Sequence, residues 1–175
     1  MASSAFSLLG LTPSYDLDLH GLERRHRELA AELHPDRVGA ATSADRVARA
    51  QRLAEVNAAF AALKAPVSRA EALMRELGVA VGDGHEPAPA ADLLMQVLEA
   101  REELSDARRA KDMAGCERHL RDAKAALAAA SSGFRDALAR QDMTAAVRAL
   151  GEMRYHARWE KDARDSLALL EDEGL

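Results

Sequence analysis

His34, Pro35 and Asp36 set an imidazole and a carboxylate on either side of a proline. Imidazole donates and accepts hydrogen bonds, aspartate carries a fixed negative charge, and proline holds the backbone between them at small entropic cost. Such a tripeptide can act as a preorganised docking tip. Arg24, Arg25 and Arg27 precede it and Arg37 follows, so the same edge carries a positive field suited to an acidic protein partner. By itself the tripeptide fits equally an ordinary solvated turn, in which Asp36 bonds turn amides and His34 ends a helix; the surrounding elements have to decide. A His–Asp pair alone defines no reaction, and no Ser or Cys nucleophile accompanies His34 in a recognisable arrangement, so the protein is not expected to be an enzyme. Cys116 and His119 have helical spacing for two metal ligands. A structural zinc takes four, so no metal or other cofactor is expected.

The elements that must position the tripeptide are legible from caps and periodicity. Ser3 or Ser4 caps a short helix carrying Phe6, Leu8 and Leu9 and ended by Gly10. A second helix starts near Asp18 and places Leu22, His26, Leu29 and Leu33 on one face, with the arginines mostly on others. It must stop at Leu33 or His34, because Pro35 lacks a donor and disfavours helical backbone before it, at roughly 3 kcal/mol for continuation. Thr42 with Asp45 resembles a short-armed capping box opening a third helix, with Val47, Ala50, Leu53 or Ala54, Asn57, and Phe60 or Ala61 at helical spacing. That helix ends near Lys64. Pro66 fits the first position of a fourth helix, terminated by Gly78. The second and third helices are expected to form an antiparallel hairpin.

From Gly78 the text changes to GVAVGDGHEPAP, a connector without periodicity, so the domains are read as 1–77, a linker 78–88, and 89–175. The last segment contains three helical stretches, near Pro89–Lys111, Ala114–Arg140 and Thr144–Glu171, which make a small antiparallel bundle. No internal repeat is recognisable. On a wheel of ~100° per residue, Leu93, Val97 and Leu104 form one apolar edge that should face the bundle. Leu94, Met95, Leu98, Glu99, Glu102 and Asp106 form a contiguous patch, apolar on one side and acidic on the other. Geometry leaves open whether Met95 and Leu98 fill the core or meet a partner, although apolar residues beside carboxylates resemble an interface core with its polar rim. Tyr155 is equally open between contact and core.

The residues FSLLGL, LHPDR, VNAAFAAL and PVSRAEALM, in this order and spacing over residues 1–77, resemble a J-domain, whose fold is a helical hairpin with the tripeptide at its tip. LLMQVLEAREEL, with the length and two-domain order of the chain, narrows the resemblance to the HscB type of J-domain co-chaperone of iron–sulfur cluster assembly. The resemblance implies an all-α protein, an N-terminal J-domain followed by a C-terminal three-helix bundle. It implies that His34, Pro35, Asp36, Arg24, Arg25 and Arg27 dock on a DnaK-family chaperone of the HscA type and stimulate its ATPase. It also implies that Leu94, Met95, Leu98, Glu99, Glu102, Asp106 and Tyr155 bind the scaffold protein IscU. His26 and Leu33 depart from the family by standing where aromatic residues are usual, and Asp106 is shorter than the carboxylate common there.

Composition agrees with this reading and excludes others. The chain is 48% hydrophobic, 30% charged and only 3% aromatic, which favours helices packed through small aliphatic side chains. A net charge of −5 and few base-stacking aromatics argue against a nucleic-acid-binding protein using Arg24, Arg25 and Arg27. No apolar run approaches the ~20 residues that span a bilayer. The first residues lack the basic and apolar regions of a secretion signal, and Cys116 is a single cysteine, so a cytoplasmic monomer is expected.

Overall fold

The computed structural model describes residues 4–34, 42–82 and 90–173. These form seven α-helices and no strand: α1 (Ala5–Leu9), α2 (Leu19–Leu33), α3 (Ser43–Lys64), α4 (Pro66–Glu76), α5 (Ala91–Arg109), α6 (Met113–Ala139) and α7 (Met143–Asp172). The chain divides into two compact units, Met1–Ala80 and Val81–Leu175. No helix among the described residues is long and apolar enough to cross a membrane.

In the first unit, the Ser4 hydroxyl accepts the Ser7 amide at 3.2 Å, and Gly10 at φ 68° closes α1 in the left-handed region that glycine tolerates. Phe6 and Leu9 of this one-turn helix are fully buried, and α1 packs on α3 and α2. Asp18 caps α2 by accepting the His20 amide at 3.1 Å. The helix stops at Leu33, with His34 already extended at ψ 132°, as the following proline requires. The box opening α3 is complete: the Thr42 hydroxyl accepts the Asp45 amide at 3.2 Å, and the Asp45 carboxylate accepts the Thr42 amide at 3.1 Å. The two helices form an antiparallel hairpin, its seam marked by His26 against Asn57 and Glu23 against Lys64.

The buried face of α3 differs from the expected one. Val56, Ala59 and Leu63 are buried, while Val47 is 57% exposed and Asn57 lies at the seam. α3 touches α1, α2 and α4, so its buried stripe is chosen by three neighbours and concentrates in its second half. The PVSRAEALM segment explains how α3 ends: the Ser68 hydroxyl donates to the Ala62 carbonyl at 2.7 Å, and Arg69 donates to the Leu63 carbonyl at 3.0 Å. Both carbonyls lie in the last turn, where no helical partner exists. The Arg69 guanidinium also lies 5.0 Å from the ring centre of buried Tyr15.

The second unit is a three-helix bundle. α6 and α7 pack through buried Ala123, Ala130, Ala137, Ala146 and Ala149, with Leu127, Phe134, Leu150 and Met153 filling the space between; small side chains let the two backbones approach closely. The two connections of the bundle are one turn used twice, thirty residues apart. Lys111 and Gln141 both sit at φ 57°. The amides of Asp112 and Asp142 reach back to the carbonyls of Ala107 and Ala137, each at 2.9 Å, as in a Schellman closure. The same two aspartates then cap the next helix, accepting the amides of Gly115 and Ala145. This local repeat, RAKDM against ARQDM, escapes the sequence reading because it lacks the glycine that normally marks such a turn.

Candidate functional site

Two faces, one on each unit, gather the candidate residues. On the hairpin, Arg24, Arg27 and His34 are exposed. Arg25 is half-buried and committed to the fold. Its Nε donates to the Leu9 carbonyl at 3.3 Å and its terminal nitrogen to Glu28 at 3.3 Å, so it fastens α2 to the end of α1. Arg24 and Arg27 therefore carry the outward charge of this helix. Pro35 and Asp36 lie outside the described residues. His26, where the family resemblance expects an aromatic ring, stacks on Phe60 with centroids 4.1 Å apart and a 13° interplanar angle. Its Nε2 lies 2.8 Å from Asn57 Oδ1. The imidazole thus does an aromatic ring's packing and adds a polar contact that suits the half-wet seam.

The α2 helix ends in an unusual way. It has no basic residue in its last turn and its C-cap is extended; Arg49 of α3 donates to the Glu32 carbonyl at 3.2 Å. Hydrogen bonds from Thr42 hold the Asp45 carboxyl below the usual carboxylate range, assisted by the charge of Arg49. The Arg49 hydrogen bond therefore joins the last turn of α2 to α3, one turn past its capping box.

On the bundle, α5 separates its residues as the helical wheel expects. Val97 and Leu104 are buried at 9% and 4% exposure and Leu93 is half-buried, whereas Leu94, Met95 and Leu98 are exposed at 42%, 57% and 49%. Glu99, Glu102 and Asp106 are exposed on the same helix, and Asp106 is paired with Arg109. Three neighbouring apolar side chains 42–57% exposed, bordered by carboxylates, have the anatomy of an interface core and rim rather than of a bundle face.

The place of Tyr155 follows from helix register. α5 and α7 run parallel, each antiparallel to α6. Arg101 of α5 faces Asp162 of α7 at 3.9 Å, and a cleft of about 420 Å³ lies between Leu104, Ser105 and Arg108 on one side and Asp165, Ser166 and Leu169 on the other. Carrying that register back about two turns brings Tyr155 level with Leu94, and Trp159 level with Leu98. Tyr155 is half-buried. Below it, Trp159 joins the core of Leu104, Cys116, Ala163 and Leu170 and meets His119 edge-on, with centroids 6.0 Å apart. Burial lowers the pKa of His156, opposed by the charge of Glu152. Cys116 is fully buried, and burial raises its thiol pKa, the opposite of what a reactive cysteine needs. Among the described residues no cluster of His, Cys, Asp or Glu could hold a metal ion.

A two-unit, all-helical protein with a capped helical hairpin in its first half and a three-helix bundle in its second has the plan of a J-domain followed by a helical C-terminal domain. The comparisons agree with it. Residues 89–164 match the family described as the HSCB C-terminal oligomerisation domain. A Neisseria meningitidis co-chaperone protein HscB homolog is 30% identical over 156 residues, covering 87% of this chain and 92% of that one. An Aeromonas hydrophila homolog is 39% identical over 101 residues, covering 58% of this chain and 59% of the other. The chaperone HscB from Vibrio cholerae superposes with a TM-score of 0.81 at 26% identity, over 96% of this chain and 99% of that one. The human co-chaperone HscB shares the fold, with a TM-score of 0.77 at 22% identity over 93% and 84%. The chain belongs to the HscB family of co-chaperones.

Proposed function

We propose that this protein is an adaptor that brings an IscU-type iron–sulfur scaffold to a DnaK-family chaperone of the HscA type and stimulates that chaperone's ATPase, supporting maturation of iron–sulfur proteins. The hairpin docks on the chaperone through His34, Pro35 and Asp36, with Arg24 and Arg27 supplying attraction and Arg25 holding α2 in place. The scaffold binds the α5 face through Leu94, Met95, Leu98, Glu99, Glu102 and Asp106, with Tyr155 beside Leu94. Joining both contacts in one chain raises the local concentration of scaffold at the chaperone when hydrolysis is triggered. The adaptor works as a cytoplasmic monomer and needs no cofactor or catalytic site of its own.

The observation that carries this reading is the exposure of Leu94, Met95 and Leu98 beside a row of carboxylates, on a chain of this family. The test of the hairpin is His34→Gln. Because His34 is exposed, the variant keeps its melting temperature and its affinity for scaffold while losing stimulation of an HscA-type ATPase; undiminished stimulation refutes the docking role. The family description of residues 89–164 favours a second reading, in which the α5 face joins two copies of this chain. Sedimentation of the protein alone separates the two, since a dimer lost on Leu94→Ala with Leu98→Ala assigns the face to self-association.

A further inference from the structure

Pro35 forces α2 to end in extended backbone, so its final carbonyls receive no left-handed closing turn of the kind that finishes α1, α5 and α6. The last carbonyls of a helix lack intrahelical partners and lie at the negative pole of its dipole, so such an end is prone to fray. His34 is the residue directly attached to it. The compensation comes from the opposite arm of the hairpin, where Arg49 is half-buried and donates to the Glu32 carbonyl at 3.2 Å. One turn earlier on α3, Thr42 and Asp45 close the capping box. The Arg49 hydrogen bond thus ties the first half of α3 to the end of α2.

We infer that Arg49 is a positioning residue: by capping α2 from α3 it holds His34 at the end of an intact helix in the orientation needed to engage the chaperone. This rests on the docking role proposed for the hairpin. An exposed charge-assisted hydrogen bond contributes about 0.5–1.5 kcal/mol, equivalent to a roughly two- to tenfold change in the population of the ordered end. If only the ordered end docks, the half-saturating concentration varies as the reciprocal of the ordered fraction, so it rises by up to that factor and the maximum does not change.

The experiment titrates Arg49→Ala, Arg49→Lys, Arg52→Ala and His34→Gln, each in the full chain, against the ATPase of the chaperone. Arg52 lies one turn further along α3 and is exposed, paired among the described residues with Glu55 on its own helix, so its loss removes equal charge without uncapping α2. Arg49→Ala is expected to raise the half-saturating concentration, by up to about tenfold, at unchanged maximal stimulation, with circular dichroism showing the same folded fraction at the assay temperature. Arg49→Lys, which can still reach the carbonyl with a cation, restores most of the loss, and Arg52→Ala stays near wild type. The ionic-strength dependence of half-saturation is the same for Arg49→Ala as for wild type. Equal losses in Arg52→Ala and Arg49→Ala would make the effect one of general charge and overturn the inference. So would a shallower salt dependence in Arg49→Ala, the sign of a direct charged contact with the chaperone. Wild-type behaviour of Arg49→Ala while His34→Gln is inactive overturns the inference alone; full activity of His34→Gln overturns the docking role beneath it.

Discussion

Replacing Leu94 and Leu98 together by alanine separates binding from folding more sharply than any other perturbation of this chain. Full burial of a leucine side chain contributes about 1.5–3 kcal/mol. These two are 42% and 49% exposed in the free protein, so roughly half of that area, about 1 kcal/mol each, remains for a partner to cover. The double variant should therefore weaken scaffold binding by about 2 kcal/mol, a roughly thirtyfold rise in Kd. Its cost to the fold is smaller than that of a core truncation, because no cavity forms at a half-exposed site and alanine favours helix. Leu104→Ala is the opposite control: Leu104 is 4% exposed among Cys116, Ala163 and Leu170, and its truncation should cost about 2–5 kcal/mol of stability. Isothermal titration of purified IscU-type scaffold into each variant, beside urea denaturation, measures both quantities. Unchanged scaffold affinity in the Leu94/Leu98 variant, or a stability loss matching that of Leu104→Ala, would refute the division of α5 into an inner and an outer face.

Three other outcomes follow from the geometry. Gly133 is exposed within α6 and a Cβ there meets nothing within 4 Å, so Gly133→Ala should stabilise the bundle by about 1 kcal/mol through helix propensity, read as a raised denaturation midpoint; a loss of stability contradicts the open space. Arg69→Met removes the donor to the Leu63 carbonyl and the cation above Tyr15, and should cost the first unit about 1–3 kcal/mol in thermal unfolding, whereas a change below a few tenths leaves the cap without energetic weight. Burial lowers the pKa of His156, so the folded bundle resists its protonation: that contribution is complete above about pH 6.5, the ordinary histidine value, and is lost as pH falls from there towards the lower folded value. Melting temperatures between pH 7.5 and 5.5 should fall less in His156→Phe than in wild type, and identical slopes would exclude His156 as the source.

The comparison of sequence with structure divides by the range of the interaction concerned. In the first unit the helix ends are legible from local rules: Ser4, Asp18 and Thr42 cap, Gly10 and Gly78 stop, Pro66 opens α4, and α2 ends at Leu33 as a proline two residues on requires. The buried face of α3 was misplaced because three neighbours compete for it, and a periodic pattern cannot say which of them wins. The turns at Lys111 and Gln141 were missed because their left-handed residues are not glycine and the closing bonds run between backbone groups, which no residue type announces. Arg25 reads as one of three equivalent arginines in the text, and only its bond to the Leu9 carbonyl, sixteen residues away, gives it a part in the fold as well.

By itself, then, the amino-acid order determined that seven helices form, where the first four start and stop, and which stripe of α5 is apolar, because capping, proline exclusion and 3.6-residue periodicity act within a few residues of chain. Tertiary structure decided which apolar residues stay in water, that Tyr155 stands level with Leu94, and that Arg49 finishes α2 from the far arm of the hairpin. These outcomes depend on the register between helices distant in sequence, which packing of whole faces sets and no local pattern encodes.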